Sequence, residues 1–184
     1  NAICAGFAAR RAHPAATPGD PLAAWDLSDF AGAREALAPS GLPAETLPPL
    51  DSPALWRPED VERFRREERG KYLVPGDLVT GLALGGEARA WPHRVLNWHE
   101  ISNDSLGGAP VLVVFSPLAW LSAAWDRRVD SETLEFRLSG LMYQSRPLLR
   151  DRRADARESS LWDPFTGRAV AGPAARRGAR LRNL

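Results

Sequence analysis

The stretch Val113–Trp120, VVFSPLAW, is an apolar run that a Ser-Pro step interrupts before it resumes. A short run of β-branched and aromatic residues closed by turn residues is typical of a buried strand that ends in a tight turn. Ser116 is the only reactive side chain in that turn. The stretch therefore predicts a β-rich core, and it leaves open why a strand should end in a turn with so little chemistry.

Two hairpins are predicted on either side of this strand. Upstream, VTGLAL and EARAWP are separated by Gly85-Gly86, a pair that suits a tight primed turn. Downstream, LSAAWDRRV and TLEFRLSGL are joined through Asp130-Ser131, and further strands are predicted in LLRD, SLWDPF and GRAVAG. The polar segment between the first hairpin and the central run, SNDSLGGAP, is predicted as a loop. Such short connections favour antiparallel strands, because parallel strands need a long crossover.

Three helical segments are predicted around the strands. The clearest is RPEDVERFRREERG, which has proline in its first turn, two acids near the positive end of the helix dipole and glycine at its end. A short helix is expected from Asp29 to Leu37 with Ser28 as its N-cap. In RVLNWHEIS a third short helix would place Val95, Trp98 and Ile101 along one side.

The predicted fold class is α+β, predominantly antiparallel β (a sandwich or a partly open barrel), with a few short peripheral helices. Residues 1–24 are rich in Ala, Pro, Gly and Arg without periodicity and are expected to form a flexible N-terminal tail. Residues 25–42 are expected to form a lead-in helix and a Pro-rich linker, and residues 43–184 a single β-rich domain.

Composition excludes several classes of function. The formal net charge of +1 gives no global attraction to nucleic acid or anionic lipid. Cys4 is the only cysteine, which rules out an intramolecular disulfide and a thiolate cluster. No stretch approaches the roughly 18 consecutive apolar residues that a membrane-spanning helix needs. We therefore expect no nucleic-acid partner, no transmembrane segment, no metal and no cofactor, and the expected partner is an unknown small ligand or protein.

The order of motifs along the chain carries a family resemblance. The motifs are EARAWPHRVLNWHEISND, a Gly-Gly loop, VLVVFSPL, WDRRVD, LEFRLSGLMYQS and SSLWDPFTGRAVAGP, preceded by WDLSDF and LPPLDSPAL. In this order they resemble the uncharacterised prokaryotic family numbered 3179 among the domains of unknown function, from about Trp25 to the end. That family has no established activity. Its members often carry export signals, so the resemblance implies a location in the cell envelope or outside the cytoplasm.

The same resemblance gives the Ser-Pro turn a meaning. Members of the family typically show Cys-Pro-Leu-Cys at the end of this strand, followed by a small residue. Here the turn reads Ser116-Pro117-Leu118-Ala119, and the bulky Trp120 follows. Two sulfurs at that spacing can form a redox couple or bind a soft metal, whereas a hydroxyl and a methyl group can do neither. The resemblance therefore implies a degenerate member that has lost a thiol redox or metal site.

No residue is assigned as catalytic, but His99, Glu100 and Ser116 are candidates. His99 and Glu100 match the family's Trp-His-Glu segment. Adjacent helical residues point about 100° apart, so these two do not jointly face a metal. One interpretation makes His99 a lone ligand or general base beside Ser116. The other, which is favoured, is a structural histidine that hydrogen-bonds a backbone group or the loop at Asn103-Asp104. A Ser116 nucleophile is disfavoured because Pro117 lacks the backbone N–H of an oxyanion hole.

The candidate binding residues are, in chain order, His99, Ser116, Asp126, Arg127, Ser139, Tyr143 and Trp162. Asp126 would orient His99 in a hydrolase, but a structural ion pair with the following arginines is the favoured interpretation. The last three residues match family positions and either line a pocket or belong to the core and its turns. Four tryptophans are expected to be core anchors, namely Trp91, Trp98, Trp125 and Trp162.

Two functions of different class remain open at this point. The leading hypothesis is an envelope-associated, non-catalytic or vestigial ligand-binding domain. The alternative is an enzyme, a hydrolase or a metal-assisted one, that uses His99, Glu100 and Ser116. The distance between His99 and Ser116 distinguishes the two hypotheses, since a general base must contact its proton donor directly or through one water.

Overall fold

The computed structural model describes residues 2–5, 20–44, 46–67 and 73–184. The α-helices in these ranges are α1 Pro58–Glu67, α2 His93–Leu96 and α3 Pro173–Arg176. The strands are β1 Ala2–Ala5, β2 Leu37–Pro39, β3 Leu50–Asp51, β4 Ala54–Trp56, β5 Val79–Leu84, β6 Glu87–Pro92, β7 Ile101–Leu106, β8 Ala109–Ser116, β9 Leu121–Asp126, β10 Arg128–Val129, β11 Glu132–Thr133, β12 Phe136–Tyr143, β13 Arg146–Asp151, β14 Leu161–Trp162, β15 Ala169–Ala171 and β16 Arg182–Asn183.

Within these ranges the strands form three larger sheets and the small β10–β11 hairpin. Sheet I has the order β4-β1-β6-β5, sheet II the order β16-β9-β8-β7-β3, and sheet III the order β15-β14-β13-β12-β2. Pairing is antiparallel except between β1 and β6 and between β3 and β7. The predicted α+β fold with mostly antiparallel strands and a few short helices is confirmed. None of the described helices has the length and apolar character that crossing a membrane requires.

Sheet II is the middle layer, and its strand β8 is buried on both faces. Val111, Val113 and Phe115 pack toward sheet I in one cluster, which also contains Leu50, Trp91, Val95, Leu96 and Leu106. Leu112 and Val114 pack toward sheet III in a second cluster, which also contains Ile101, Trp125, Val129, Leu134, Phe136, Leu149, Trp162, Ala169, Ala174 and Leu181. The sequence of a strand that is buried on both faces is a continuous run of apolar residues, as VLVVF is.

The lead-in segment covers the far face of sheet III. Leu27, Phe30 and Leu37 form a third cluster with residues of that sheet, namely Leu141, Leu148, Leu161, Val170 and Ala171. Strand β2 also pairs with β12. The division at residues 24 and 42 stays a prediction, and most of the predicted tail lies outside the described residues.

The helices were predicted with mixed success. Helix α1 is confirmed, although its predicted end at Gly70 lies outside the described residues. The helix expected over Asp29–Leu37 is wrong, because only a 3₁₀ turn forms at Arg34–Ala36. The Ser28 hydroxyl lies 2.6 Å from a carboxylate oxygen of Asp26 and 2.7 Å from one of Asp29. It therefore does not cap a helix.

Two further expectations about strands and loops are wrong. SNDSLGGAP is not a loop: β7 runs through Ile101–Leu106 and pairs along its length with β8. The hairpin predicted around Asp130-Ser131 is only the two-residue pair β10–β11, because β9 and β12 belong to different sheets. By contrast, the β5–β6 hairpin is confirmed, with positive φ at both Gly85 and Gly86 as a type I′ turn requires.

Trp98 is not a core anchor. Helix α2 ends at Leu96, so Trp98 and Ile101 do not continue its buried side. The Trp98 side chain is 68% exposed, whereas Ile101 is buried in strand β7. The other three predicted anchors, Trp91, Trp125 and Trp162, are buried.

Two adjacent polar residues of β7 tie sheet II to the sheets on either side. The Asn103 amide accepts a hydrogen bond from the Phe136 N–H at 2.9 Å and donates one to the Phe136 carbonyl at 3.0 Å, which joins it to sheet III. Asp104 points to the other face and forms a buried ion pair with Arg89 of sheet I at 2.6 Å. Successive strand residues point to opposite faces, so one dipeptide can serve both layers.

We expect Asn103→Ala to destabilise the fold by about 2–3 kcal/mol, because it leaves the buried Phe136 N–H without its acceptor. Urea unfolding followed by tryptophan fluorescence measures the change. The exposed Asn97 is the matched control, and its replacement by alanine should change stability by less than about 0.5 kcal/mol. Equal effects of the two replacements would contradict the role of Asn103.

Candidate functional site

A pocket of about 110 Å³ lies where sheet II meets sheet III, and Glu100 contributes its only ionisable lining group among the described residues. We call it the Glu100 pocket. Three segments surround Glu100: the Pro-rich segment before β3, the turn that follows β8, and the β12–β13 hairpin. The lining residues that they supply are Ser40, Leu42, Pro43, Thr46, Leu47, Leu118, Leu138, Gly140, Leu141, Met142, Pro147 and Leu148.

The backbone of Glu100 explains how its side chain reaches this pocket. Regular strand alternation would place it on the face of Ser102 and Asp104, which is directed toward sheet I. Its φ of 57° breaks that alternation, and Glu100 lines a pocket together with residues of sheet III. The Glu100 carbonyl accepts a hydrogen bond from the Phe115 N–H at 2.9 Å, which fixes the residue beside the end of β8.

The environment of Glu100 favours its neutral form. Its carboxyl group forms no hydrogen bond or ion pair with a described residue, and most of its neighbours in the pocket are apolar. Burial therefore raises its pKa from 4.5 to about 7. A carboxyl group that titrates near neutral pH in a pocket is typical of functional sites.

His99 does not take part in this pocket. Its ring is buried, and Nδ1 lies 2.6 Å from the Pro48 carbonyl oxygen, to which it donates. The structure thus gives His99 a backbone partner, in agreement with the favoured interpretation, and this bond anchors the Pro-rich segment that forms one wall of the pocket. No hydrogen bond joins His99 to Ser116, both of which are described.

Ser116 closes its own turn. Its buried hydroxyl accepts the Ala119 N–H at 3.2 Å, and Leu118 of the same turn lines the Glu100 pocket. Trp120, which has a φ of 52°, packs edge-on against Phe115 with ring centroids 5.5 Å apart. Phe115 belongs to the face of β8 that is directed toward sheet I, so the indole packs against that face.

Asp126 and Arg127 are occupied by structural contacts. Asp126 pairs with Arg128 at 2.7 Å and with Arg182 at 2.6 Å, and the hydrogen bonds from Arg128 hold the pKa of its carboxyl group well below the usual range. The Arg127 guanidinium donates to three backbone carbonyls, those of Asp104, Val111 and Leu134. Neither residue lines the Glu100 pocket.

The remaining candidates are dispersed. The Ser139 hydroxyl donates to the Leu148 carbonyl at 2.7 Å and accepts the Leu141 N–H at 3.1 Å, which fixes the irregular part of β12 beside the Glu100 pocket. Tyr143 packs edge-on against Phe30 in the third cluster. Trp162 lines a different cleft. A binding role for each of them stays a prediction.

Sequence reasoning missed the lining of the Glu100 pocket. Leucines such as Leu47, Leu118 and Leu138 come from distant parts of the chain, and no local pattern marks them as neighbours. Glu100 itself was found only through the family's Trp-His-Glu segment. In the described part of the chain, no group of three or more His, Cys, Asp or Glu residues is placed to hold a metal ion.

Comparison with known proteins agrees with the resemblance seen in the motifs. Residues 44–184 match the model of a family described as Protein of unknown function (DUF3179). Neither a curated protein nor a solved structure matches the chain. The match includes the Ser116 turn and the lining residues of the Glu100 pocket from Thr46 onward, whereas Ser40, Leu42 and Pro43 lie before it. The chain therefore belongs to the DUF3179 family of proteins of unknown function.

Proposed function

We propose that this domain is a non-catalytic, envelope-associated ligand-binding module whose ancestors carried a thiol site at the Ser116 turn. The observation that supports binding is the carboxyl group of Glu100, which has no partner among the described residues and lies in a pocket whose other described lining residues are uncharged and mostly apolar. Pockets of this composition, apolar with few polar groups, are typical of small-molecule sites. The envelope location rests on the family resemblance alone.

The chemistry of the pocket favours a small amine with an apolar body. An ionised Glu100 is costly in this environment, because burial favours its neutral form. A bound ammonium group would compensate the carboxylate, while the apolar part of the ligand would contact the leucines. At about 110 Å³ the pocket holds only a small group, so the rest of a larger ligand would extend outside.

The geometry argues against catalysis by the predicted residues. A Ser116 nucleophile needs a base in contact, but no hydrogen bond joins the described His99 and Ser116, and His99 Nδ1 donates to Pro48. The second candidate, a hydrolase or metal-assisted enzyme that uses His99, Glu100 and Ser116, is favoured by one observation. A Glu100 pKa of about 7 suits a general acid or base at neutral pH.

Ligand binding is tested with small apolar amines and their isosteric alcohols, using thermal shift followed by calorimetry. A ligand that binds only the folded state raises the melting temperature. We expect the amines to stabilise the protein at pH 8 more than the alcohols do, and Glu100→Gln to abolish the difference. The control is Glu87→Gln, which changes an exposed glutamate at the start of β6.

An amine response that persists in Glu100→Gln would refute the pocket as the binding site. Turnover of an ester or amide probe that is lost in both Glu100→Gln and Ser116→Ala would instead favour the enzyme.

The stability of the protein should depend on pH through Glu100. The folded state binds the proton of the Glu100 carboxyl group more tightly than the unfolded chain does. Below about pH 4.5 this group is protonated in both states and does not lower the free energy of unfolding. The cost appears as the pH rises from 4.5 to about 7 and is complete above that. Because the side chain is partly open to solvent, we expect a total of about 1–3 kcal/mol.

Glu100→Gln should therefore be more stable than the natural protein at pH 8 and similar to it at pH 5. Chemical denaturation at pH 5, 6, 7 and 8 measures the free energies of unfolding, with Glu87→Gln as the control. Parallel profiles for the natural protein and Glu100→Gln would contradict the raised pKa.

The lost thiol site is tested by restoring it. Ser116→Cys with Ala119→Cys replaces two residues by others of similar size, so the fold should tolerate the change. The natural hydrogen bond from the Ala119 N–H to Ser116 shows that the two residues are held in one turn. We expect the double variant to form a disulfide or to bind copper or zinc, and the natural turn to do neither.

Thiol titration and metal analysis on both proteins measure this, with Cys4→Ser in each to remove the other thiol. Stoichiometric metal at the natural turn would refute the loss. Two persistently free thiols and no metal in a folded double variant would show that the turn no longer has the family's geometry.

A further inference from the structure

Arg168 and Arg180 lie directly opposite each other in an antiparallel pair outside the strands of the larger sheets. The two backbone hydrogen bonds beside them join their chain neighbours: the Ala169 N–H donates to the Ala179 carbonyl at 3.1 Å, and the Leu181 N–H to the Gly167 carbonyl at 2.8 Å. This pattern defines a non-hydrogen-bonded pair, whose Cα atoms are about 4.5 Å apart and whose side chains leave the same face. We call it the arginine pair.

The backbone under the arginine pair is held in place. The Arg168 carbonyl accepts the Asp163 N–H at 2.9 Å, and the Gly167 N–H donates to the Asp163 carbonyl at 3.0 Å. On the opposite segment Leu181, which follows Arg180, is buried in the cluster between sheets II and III. Both arginines themselves are exposed. Two guanidinium groups are therefore presented to solvent from neighbouring, fixed backbone positions.

The charges of the arginine pair are not compensated within the described part of the chain. Neither Arg168 nor Arg180 forms an ion pair or a side-chain hydrogen bond with a described residue. The acids of adjoining segments are engaged elsewhere: the Asp163 carboxylate accepts two N–H groups of its own turn at 2.9 and 3.2 Å, and two other arginines hold Asp126 at 2.7 and 2.6 Å. Like charges directly opposite each other destabilise an antiparallel pair. An anion bound between the two guanidinium groups would remove this repulsion.

We propose that the arginine pair binds the phosphate group of a phosphomonoester. Each guanidinium presents a planar fork of N–H donors that matches phosphate oxygens. A phosphomonoester carries a charge of about −1.5 to −2 at pH 7 and so compensates both arginines, whereas a carboxylate compensates only one. The phosphate belongs either to a small soluble ester or to a lipid headgroup, since both offer the same oxygens. Neither arginine lines the Glu100 pocket, so the site is independent of the function proposed there.

Titration of the ¹⁵N-labelled protein with glycerol phosphate at pH 7 tests the proposal, followed by NMR of the assigned arginine Nε–H signals. We expect the signals of Arg168 and Arg180 to shift with glycerol phosphate, and to shift less with acetate at equal ionic strength. The affinity should fall between pH 7 and pH 5, because the ester loses its second charge near pH 6 while the arginines stay protonated. Equal shifts with acetate and glycerol phosphate would overturn the proposal.

Variants at the two exposed positions test the donors. Arg168→Gln and Arg180→Gln should each weaken glycerol phosphate binding at least about fivefold, since each removes one charged fork. Arg34→Gln, which changes an exposed arginine of the lead-in segment, is the matched control and should bind normally, as should Glu100→Gln. Unchanged affinity in both Arg168→Gln and Arg180→Gln would overturn the proposal.

Sedimentation with phosphatidylcholine vesicles that contain phosphatidic acid distinguishes the two sources of the phosphate. Binding to these vesicles that exceeds binding to pure phosphatidylcholine, and that both Arg168→Gln and Arg180→Gln reduce, would assign the site to a lipid headgroup. Binding of glycerol phosphate without such vesicle binding would assign it to a soluble ester. Binding of neither would overturn the proposal.

Discussion

The arrangement of the three sheets depends on one dipeptide in strand β7. Asn103 hydrogen-bonds the backbone of Phe136 in sheet III, and Asp104 pairs with Arg89 in sheet I. Hydrophobic contacts hold the layers together but do not fix how one sheet is placed along another. Directional bonds do, because each has a narrow range of distance and angle. The Glu100 pocket lies between sheets II and III just before this strand, and the Asn103 bonds to Phe136 join the same two sheets.

The parts of the fold that depend on local chemistry could be predicted from the sequence. Gly85-Gly86 specified its hairpin because only a few residues adopt positive φ at low cost. Strand β7 could not be predicted, because its buried polar residues resemble a loop until their partners in other sheets are known. The Glu100 pocket escaped prediction for a related reason: its walls come from the segment before β3, the turn after β8 and the β12–β13 hairpin. Neither feature has a local signature.

The Ser116 turn has structural roles that do not depend on a reactive side chain. The Ser116 hydroxyl accepts the Ala119 N–H, a bond that closes the turn by hydrogen bonding alone. Leu118 contributes to the Glu100 pocket, so the turn also has a packing role. The fold needs such a segment whatever its side-chain chemistry, because deleting it would expose the ends of β8 and β9.

The backbone conformation and the surroundings of Glu100 both lower the stability of the protein. At a φ of 57° a glycine would have less backbone strain than any residue with a Cβ. An apolar side chain would also suit the surroundings better than a carboxyl group. Glutamate is thus unfavourable there on two separate counts. Random substitution would favour residues that remove either the backbone strain or the buried carboxyl group, since stabilising substitutions are easy to find at strained positions. The identity of this residue in other members of the family therefore bears directly on the function proposed for the pocket.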